Sequence, residues 1–233
     1  MPARHKNKLA VFDVDGTLFR SSLLIELVDG LIAAGVFPKS APKVYEQQFG
    51  RWLNREDSYD KYIWKVVEAY QRYIKGVREA DVQRVATHVM RFHKKRMYRY
   101  TRDLLAKLKK THYCIAISWS PRDIVGPFCT ELGFDKVYGR IHEVDESFRF
   151  TGKVLFEEEI NRKDLILRRA LAREHLTLKG SVGVGDSESD VTFLSMVERP
   201  IAFNPNAKLY RAAKRRGWEI VVERKDMIYR LGD

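Results

Sequence analysis

The chain has 233 residues, 45% hydrophobic and 32% charged, enough for one substantial core and a small second lobe, which excludes a disordered or fibrous protein. No apolar run approaches the roughly 18–20 residues of a membrane-spanning helix. The basic start, MPARHKNKLAVFDVDG, breaks its apolar run at Asp13 and Asp15, and Cys114 and Cys129 are too few for a disulfide framework, so a reduced, cytoplasmic protein with no membrane partner is expected.

Lys8–Phe12 (KLAVF) predicts a buried strand ending at an acid. From Ser21 to about Arg99 the pattern is helical throughout, with Leu24, Leu27, Val28 and Leu31, then Ile63, Val66, Val67, Tyr70 and Ile74, then Val82, Val85, Ala86 and Val89 at helical spacing. Nine aromatics between Phe37 and Tyr73 belong to this insertion and are read chiefly as helix packing. Between Arg84 and Lys110, ten Lys or Arg stand against Asp103 alone and supply most of the net charge of +12. Such a field attracts nucleic acid, acidic lipid or small anions, although a solvated helical face is the simpler reading.

Further strands are predicted at Tyr113–Ile117, ending at Ser118, then at Ser181–Val184, Pro200–Phe203 and Glu219–Val222. Helices are expected over Arg122–Leu132, over Asp164–His175 with Leu165, Leu167, Ala170 and Leu171 on the apolar side, and over Asn206–Arg216. Glu143–Gly152 reads as a hairpin at the sheet's edge. Strands alternating with helices predict an α/β fold with a mostly parallel sheet covered on both faces.

Chemistry gathers at strand ends. Asp13-Val14-Asp15-Gly16-Thr17 follows the first strand, and two carboxylates there address the crevice where parallel sheets bind ligands. Asp186 follows the Ser181–Val184 strand, and Asp190 lies one helical turn on, so both turn toward one point. This all-oxygen set suits Mg²⁺. With Ser118 and Lys163 added, the inventory matches phosphoryl transfer. Gly183-Val184-Gly185 is no dinucleotide fingerprint, because Glu188 would repel a pyrophosphate. His142-Glu143 lacks the second His of a zinc-protease helix, and His88 and His93 are five apart, off a common helix face.

In order and spacing, Asp13-Val14-Asp15-Gly16-Thr17, Ser118, Lys163 and Gly185-Asp186 with Asp190 resemble the four motifs of the haloacid dehalogenase-like (HAD) superfamily. Ser118-Trp119-Ser120-Pro121, Phe150-Thr151-Gly152-Lys153 and Asn204-Pro205 resemble its subfamily IB, the phosphoserine phosphatase-like group. The resemblance implies a three-layer α/β/α Rossmann-like core formed by residues 1–20 and 100–233, with a helical C1 cap over 21–99. It also implies a Mg²⁺-dependent phosphatase acting on a small phosphorylated metabolite. Asp13 would be the nucleophile and Asp15 the acid and base. Asp13, the Asp15 backbone carbonyl and Asp186 would hold the metal, and Asp190 would ligate through water or brace the site. Thr17, Ser118, Lys163 and the backbone near Trp119 would hold phosphoryl oxygens.

Trp119 departs from the small residues such phosphatases carry after the motif serine, and its indole narrows or lines the pocket. Phe19, Arg20, Ser21, Ser22, Glu26, Arg51, Arg55 and Lys61 are the cap positions within reach of a leaving group, though exposure or packing is expected first for each. The cap is expected to close as a lid about hinges near Phe19–Ser22 and Tyr98–Arg102. A phosphotransferase using the same intermediate, or a nucleic-acid or acidic-partner binding protein, is the alternative; the chain is expected as monomer or dimer.

Overall fold

The structure is a computed structural model that describes residues 6–231. An eight-stranded sheet runs in the order β4–β3–β2–β1–β5–β6–β7–β8. Its strands are β1 (Lys8–Phe12), β2 (His112–Pro121), β3 (Lys136–Val144), β4 (Phe150–Leu155), β5 (Thr177–Gly185), β6 (Arg199–Phe203), β7 (Glu219–Arg224) and β8 (Met227–Arg230). Only the edge strands β4 and β8 pair antiparallel, as expected for an α/β sheet closed by hairpins.

The pleat of β1 sorts the core. Leu9 and Val11 face one layer, Ala10 and Phe12 the other, and all four are fully buried. On the first side lie α7 (Glu157–Ile160), α8 (Lys163–Arg173), α9 (Val191–Leu194) and α10 (Ala207–Arg216), whose Ile166, Leu167, Phe193 and Leu209 complete that layer. On the second side lie α5 (Arg99–Leu108) and α6 (Arg122–Leu132), giving Leu105, Ile124 and Phe128.

Between β1 and β2 come α1 (Leu23–Ala33), a 3₁₀ turn at Ala41–Val44, α2 (Glu46–Leu53), α3 (Tyr59–Ile74) and α4 (Glu79–His93). No strand interrupts them, as the helical periodicity predicts. Their buried residues run into the second core layer without a break, and Phe19 meets Phe128 edge-on at 5.7 Å. The chain crosses into and out of this insertion side by side: Arg20 N donates to Arg96 O at 2.9 Å, and Tyr98 N to Leu18 O at 3.0 Å.

Register decides what meets at the sheet's carboxyl edge. Phe12 stands opposite Ala116 of β2 and Val184 of β5. The next residues, Asp13, Ile117 and Gly185, are therefore level, and Ser118 and Asp186 follow one step beyond.

The structure corrects several expected details. β2 runs three residues past Ser118, to Pro121, because the residue before a proline is held extended. Helix α8 spans Lys163–Arg173 and buries Lys163, Ile166, Leu167 and Ala170. Leu165 is exposed and Leu171 only half-buried, since burial of Lys163 turns the helix away from the expected face. Helix α10 starts at Ala207, with Asn206 as its cap accepting from Leu209 N at 2.9 Å. Strand β3, interrupted by Gly139 and charged residues, and the short exposed β8 have no clear sequence signal.

The basic stretch is divided among α4, the following turn and α5, so it forms no single helical face. Lys94 pairs with Glu131, Arg96 with Glu26, and Arg102 with Asp103. Cys114 and Cys129 are free and buried, and among the described residues no helix is long and apolar enough to cross a membrane.

Candidate active site

The loop after β1 turns sharply at Gly16, whose φ of +78° lies in the left-handed region. Gly16 N points at the Phe19 and Ser21 carbonyls, both 3.0 Å away. The turn brings Asp13, Asp15 and Thr17 to the crevice above β1, β2 and β5. Asp13 is buried, and its Oδ1 accepts from Lys163 Nζ at 2.7 Å. Its Oδ2 is buried without a hydrogen-bond partner.

Lys163, the first residue of α8, is 2% exposed and donates also to Asp190 Oδ1 at 2.6 Å. Burial works against its charge, but Asp13 and Asp190 outweigh that and raise its pKa. Asp190 is fully buried, and its Oδ2 accepts from the backbone N–H of Asp186 and of Ser187, each at 3.0 Å. These contacts make Asp190 a brace that shapes the loop after β5. Gly185 is required beneath it, since a Cβ there would lie 2.5 Å from Asp190 Cβ.

Carboxylate oxygens of Asp13, Asp186 and Asp190 lie within 4.8 Å of one another. Burial lifts the Asp13 carboxyl to about 7, partly offset by Lys163 and reinforced by Asp190 and Asp15. The surrounding protein, then Asp13 and Asp190, hold Asp186 well above the usual carboxylate range. One ammonium does not balance this many acids. A hard divalent cation beside the unpartnered Asp13 Oδ2 fits the donor set.

Asp15 is held differently. Its Oδ1 accepts from Leu23 N, the start of α1, and its Oδ2 from Ser118 Oγ, both at 2.6 Å. The acid therefore touches the insertion's first helix and the β2 strand end together. Ser118 Oγ also accepts from Ser120 N at 2.9 Å. Thr17 is fully buried, with its hydroxyl 3.5 Å from Asp186 Oδ1. The Trp119 indole donates to Ile160 O at 2.8 Å, and its ring lies 5.8 Å from Lys163 Nζ and 5.9 Å from the Trp64 ring of α3.

The structure thus brings Asp13, Asp15, Thr17, Ser118, Trp119, Lys163, Asp186 and Asp190 to one crevice. The cap positions fare otherwise. Phe19 and Ser22 are buried, Glu26 binds Arg96 at 2.7 Å and His93 at 3.3 Å, and Lys61 and Arg51 pair with Asp57.

Three residues escaped the sequence reading. Ser187 forms a capping box with Asp190, and a Ser three residues before an acid is its signal. Asn206 N donates to Asp186 O at 2.8 Å and anchors the loop after β5. Tyr59, counted among the packing aromatics, starts α3 above the crevice: burial, then the charges of Asp15 and Asp186, raise its hydroxyl pKa.

Gly16→Ala tests the close approach. An added Cβ would lie 2.2 Å from Asp186 Oδ2, so Asp186 must move, and the left-handed backbone alone costs about 1–2 kcal/mol. The variant is expected to melt lower and to bind Mg²⁺ at least about tenfold more weakly by calorimetry, since metal-site geometry is this sensitive. Unchanged Mg²⁺ affinity would contradict the contact.

A mostly parallel sheet that gathers acids and one buried ammonium at its carboxyl edge, beside a helical insertion, defines an α/β enzyme of the Rossmann-like class. The chain belongs to the haloacid dehalogenase-like hydrolases, whose family model matches residues 10–195. It is 29% identical over 220 residues to phosphoserine phosphatase SerB1 of Mycobacterium tuberculosis, covering 91% of this chain and 69% of that one. It is 23% identical to a histidinol-phosphatase of Neisseria meningitidis, covering 91% and 97%. Among solved structures, a phospho-aspartyl intermediate analogue of phosphoserine phosphatase shares the fold, with TM-score 0.60, 21% identity and 95% of each chain covered. A Bordetella pertussis protein of unknown function does so with TM-score 0.71, 21% identity, and 92% and 98% covered.

Proposed function

We propose that the protein is a Mg²⁺-dependent phosphatase that hydrolyses a small phosphomonoester through an aspartyl-phosphate on Asp13. The observation that carries this reading is the Asp13 carboxylate itself. Lys163 holds one oxygen, the other is buried with no hydrogen-bond partner, and the carboxylate lies within 4.8 Å of those of Asp186 and Asp190. A carboxylate so held is oriented for attack at phosphorus.

In the first displacement an Asp13 oxygen bonds to phosphorus as the ester oxygen leaves, and Asp15 gives that oxygen its proton. In the second, Asp15 takes a proton from water, whose oxygen bonds to phosphorus and releases Asp13 with inorganic phosphate. Thr17, Ser118, the Trp119 backbone N–H and Lys163 bind the phosphoryl oxygens. Mg²⁺ would be held by Asp13, Asp186 and the Asp15 backbone carbonyl, and when bound it neutralises charge between carboxylate and phosphate. The insertion over residues 21–99 serves as the cap that selects the leaving group, with Tyr59, Trp64 and Trp119 lining its approach.

The functional test is phosphate release across a panel of phosphomonoesters with Mg²⁺ or EDTA, including phosphoserine and histidinol phosphate. Mg²⁺-dependent release from at least one small ester is expected; no release from any would overturn the proposal.

A pH dependence follows from the raised Asp13 pKa. An ordinary carboxyl titrates near 3.9, whereas Asp13 in the folded, metal-free chain titrates at about 7. Its stabilising contribution is thus complete at low pH and lost as pH rises from about 4 to about 7. Mg²⁺ needs the ionised form, so stabilisation by Mg²⁺ is expected to grow over the same window. Melting curves with EDTA and with Mg²⁺ at several pH values measure it, and a Mg²⁺ effect that shrinks with rising pH would count against the assignment.

A further inference from the structure

Helix α3 crosses the carboxyl edge of the sheet. At its first turn, burial and then the charges of Asp15 and Asp186 raise the Tyr59 hydroxyl pKa, which places that hydroxyl near both acids. Toward its other end the Tyr70 ring meets His142 of β3 at 5.1 Å. Trp64 lies between these points. Its ring stands 5.9 Å from that of Trp119, tilted by 48°. Val67 and Gln71, three and seven residues further along the same helix face, share a wall with Trp119. The sheet-facing side of α3 therefore turns Trp64 toward the end of β2, where Ser118 and Trp119 stand.

Of the two indoles, Trp119 is fixed and Trp64 is left open. The Trp119 N–H donates to Ile160 O at 2.8 Å, which sets the plane of the ring, and the ring lies 5.8 Å from Lys163 Nζ. Lys163 Nζ is in turn 2.7 Å from Asp13 Oδ1. Trp64 is 50% exposed even though its ring meets Trp119, and the tilt keeps the two from stacking on each other. A flat apolar wall is thus uncovered beside the groups assigned to the phosphoryl oxygens, where a leaving group must lie. Indole faces and edges take flat rings in offset or edge-on contact. An anionic leaving group finds no free cation on α2 or α3: Arg51 and Lys61 pair with Asp57, and Lys65 and Arg72 with Glu68.

Resting on the phosphatase reading, we propose that the leaving alcohol of the preferred substrate carries an aromatic ring that packs against Trp64 and Trp119. Trp119 offers a fixed surface from the sheet. Trp64 is the specificity-determining residue of the insertion, and it favours a planar ring over a puckered one of the same size.

The test uses the full chain with Mg²⁺ and two synthetic esters of one carbon skeleton, 2-phenylethyl phosphate and 2-cyclohexylethyl phosphate, with phosphoserine beside them. Both synthetic esters release unactivated primary alcohols, so the chemical step is alike for the two. The saturated ring is the more hydrophobic, so apolar burial alone would favour it. The aromatic ester is expected to show a kcat/KM at least about fivefold higher than its saturated partner. Trp64→Leu keeps an apolar side chain without the ring, and the ratio should fall to about one. Trp64→Phe restores a ring and should recover most of the preference, a rescue that a merely structural role would not give. Because Trp64 is half exposed, both variants are expected to fold as the parent does. Equal efficiency on the two synthetic esters, a preference that survives in Trp64→Leu, or hydrolysis of phosphoserine but of neither synthetic ester would overturn this inference and leave the phosphatase reading standing. No release from these or any other ester would overturn both.

Discussion

Asp13→Asn is expected to lower phosphate release by at least about 10⁴-fold, the scale seen when a catalytic nucleophile is removed, with the fold intact. The amide keeps an oxygen for Lys163 Nζ, now 2.7 Å from Asp13 Oδ1, and its shape matches the carboxylate. What it loses is the nucleophilic oxygen and one negative charge. Because burial and the neighbouring acids already hold the Asp13 carboxyl up at about 7, removing that charge relieves repulsion in the metal-free protein. The melting temperature in EDTA should therefore stay level or rise while turnover collapses. Activity within tenfold of the parent would refute the role of Asp13; a large drop in melting temperature would mean that the residue is chiefly structural.

Lys163→Met should have the largest effect on stability. The ammonium sits between Asp13 Oδ1 and Asp190 Oδ1, and all three residues are buried. Removing one partner of a buried ion pair costs about 3–5 kcal/mol, because the other charge is left uncompensated. For a chain of this size that is a fall of roughly 10 °C in melting temperature. The sign of the pH dependence follows from the same charges. With the ammonium gone, the Asp13 carboxylate loses its counter-ion, and protonating Asp13 removes part of the penalty. The gap between variant and parent should narrow as pH falls. Phosphate release should be lost at every pH, since Lys163 also binds the phosphoryl group in the proposed reaction. Equal stability losses at all pH values would show that lost packing, not charge, is the cause.

Much of this site is legible in the sequence because parallel strands of similar length place their carboxyl ends level. Once KLAVF and SVGV are read as neighbouring strands, Asp13 and Asp186 must meet, and the observed register does bring Phe12 opposite Val184. Lys163 is legible as the start of a helix, but its burial is not. The expected apolar face put Leu165 inside, whereas the ion pair with Asp13 and Asp190 draws Lys163 inward and leaves Leu165 in solvent. A contact across 150 residues thus overrides a local pattern.

Asp190 shows the same limit. Its helical spacing from Asp186 gives direction, but only the folded loop reveals that its Oδ2 is occupied by two backbone N–H groups. Tyr59 and Trp64 were indistinguishable in sequence from Tyr62 and Tyr70. Tyr62 and Tyr70 pack inward, while Tyr59 and Trp64 are only partly covered, Tyr59 by Trp52 and Tyr62, and Trp64 by Trp119. The buried Arg140 had no signal at all, because a charged residue on a strand is most often solvated.

The most direct measurement is to quench the enzyme with acid during turnover of a small phosphomonoester with Mg²⁺, reduce any acyl phosphate with borohydride, and map the modified residue by mass spectrometry. Reduction at Asp13 alone is expected, and none when the ester or Mg²⁺ is omitted. Modification at Asp15, Asp186 or Asp190 instead, or turnover with no trapped carboxylate at any time point, would contradict it.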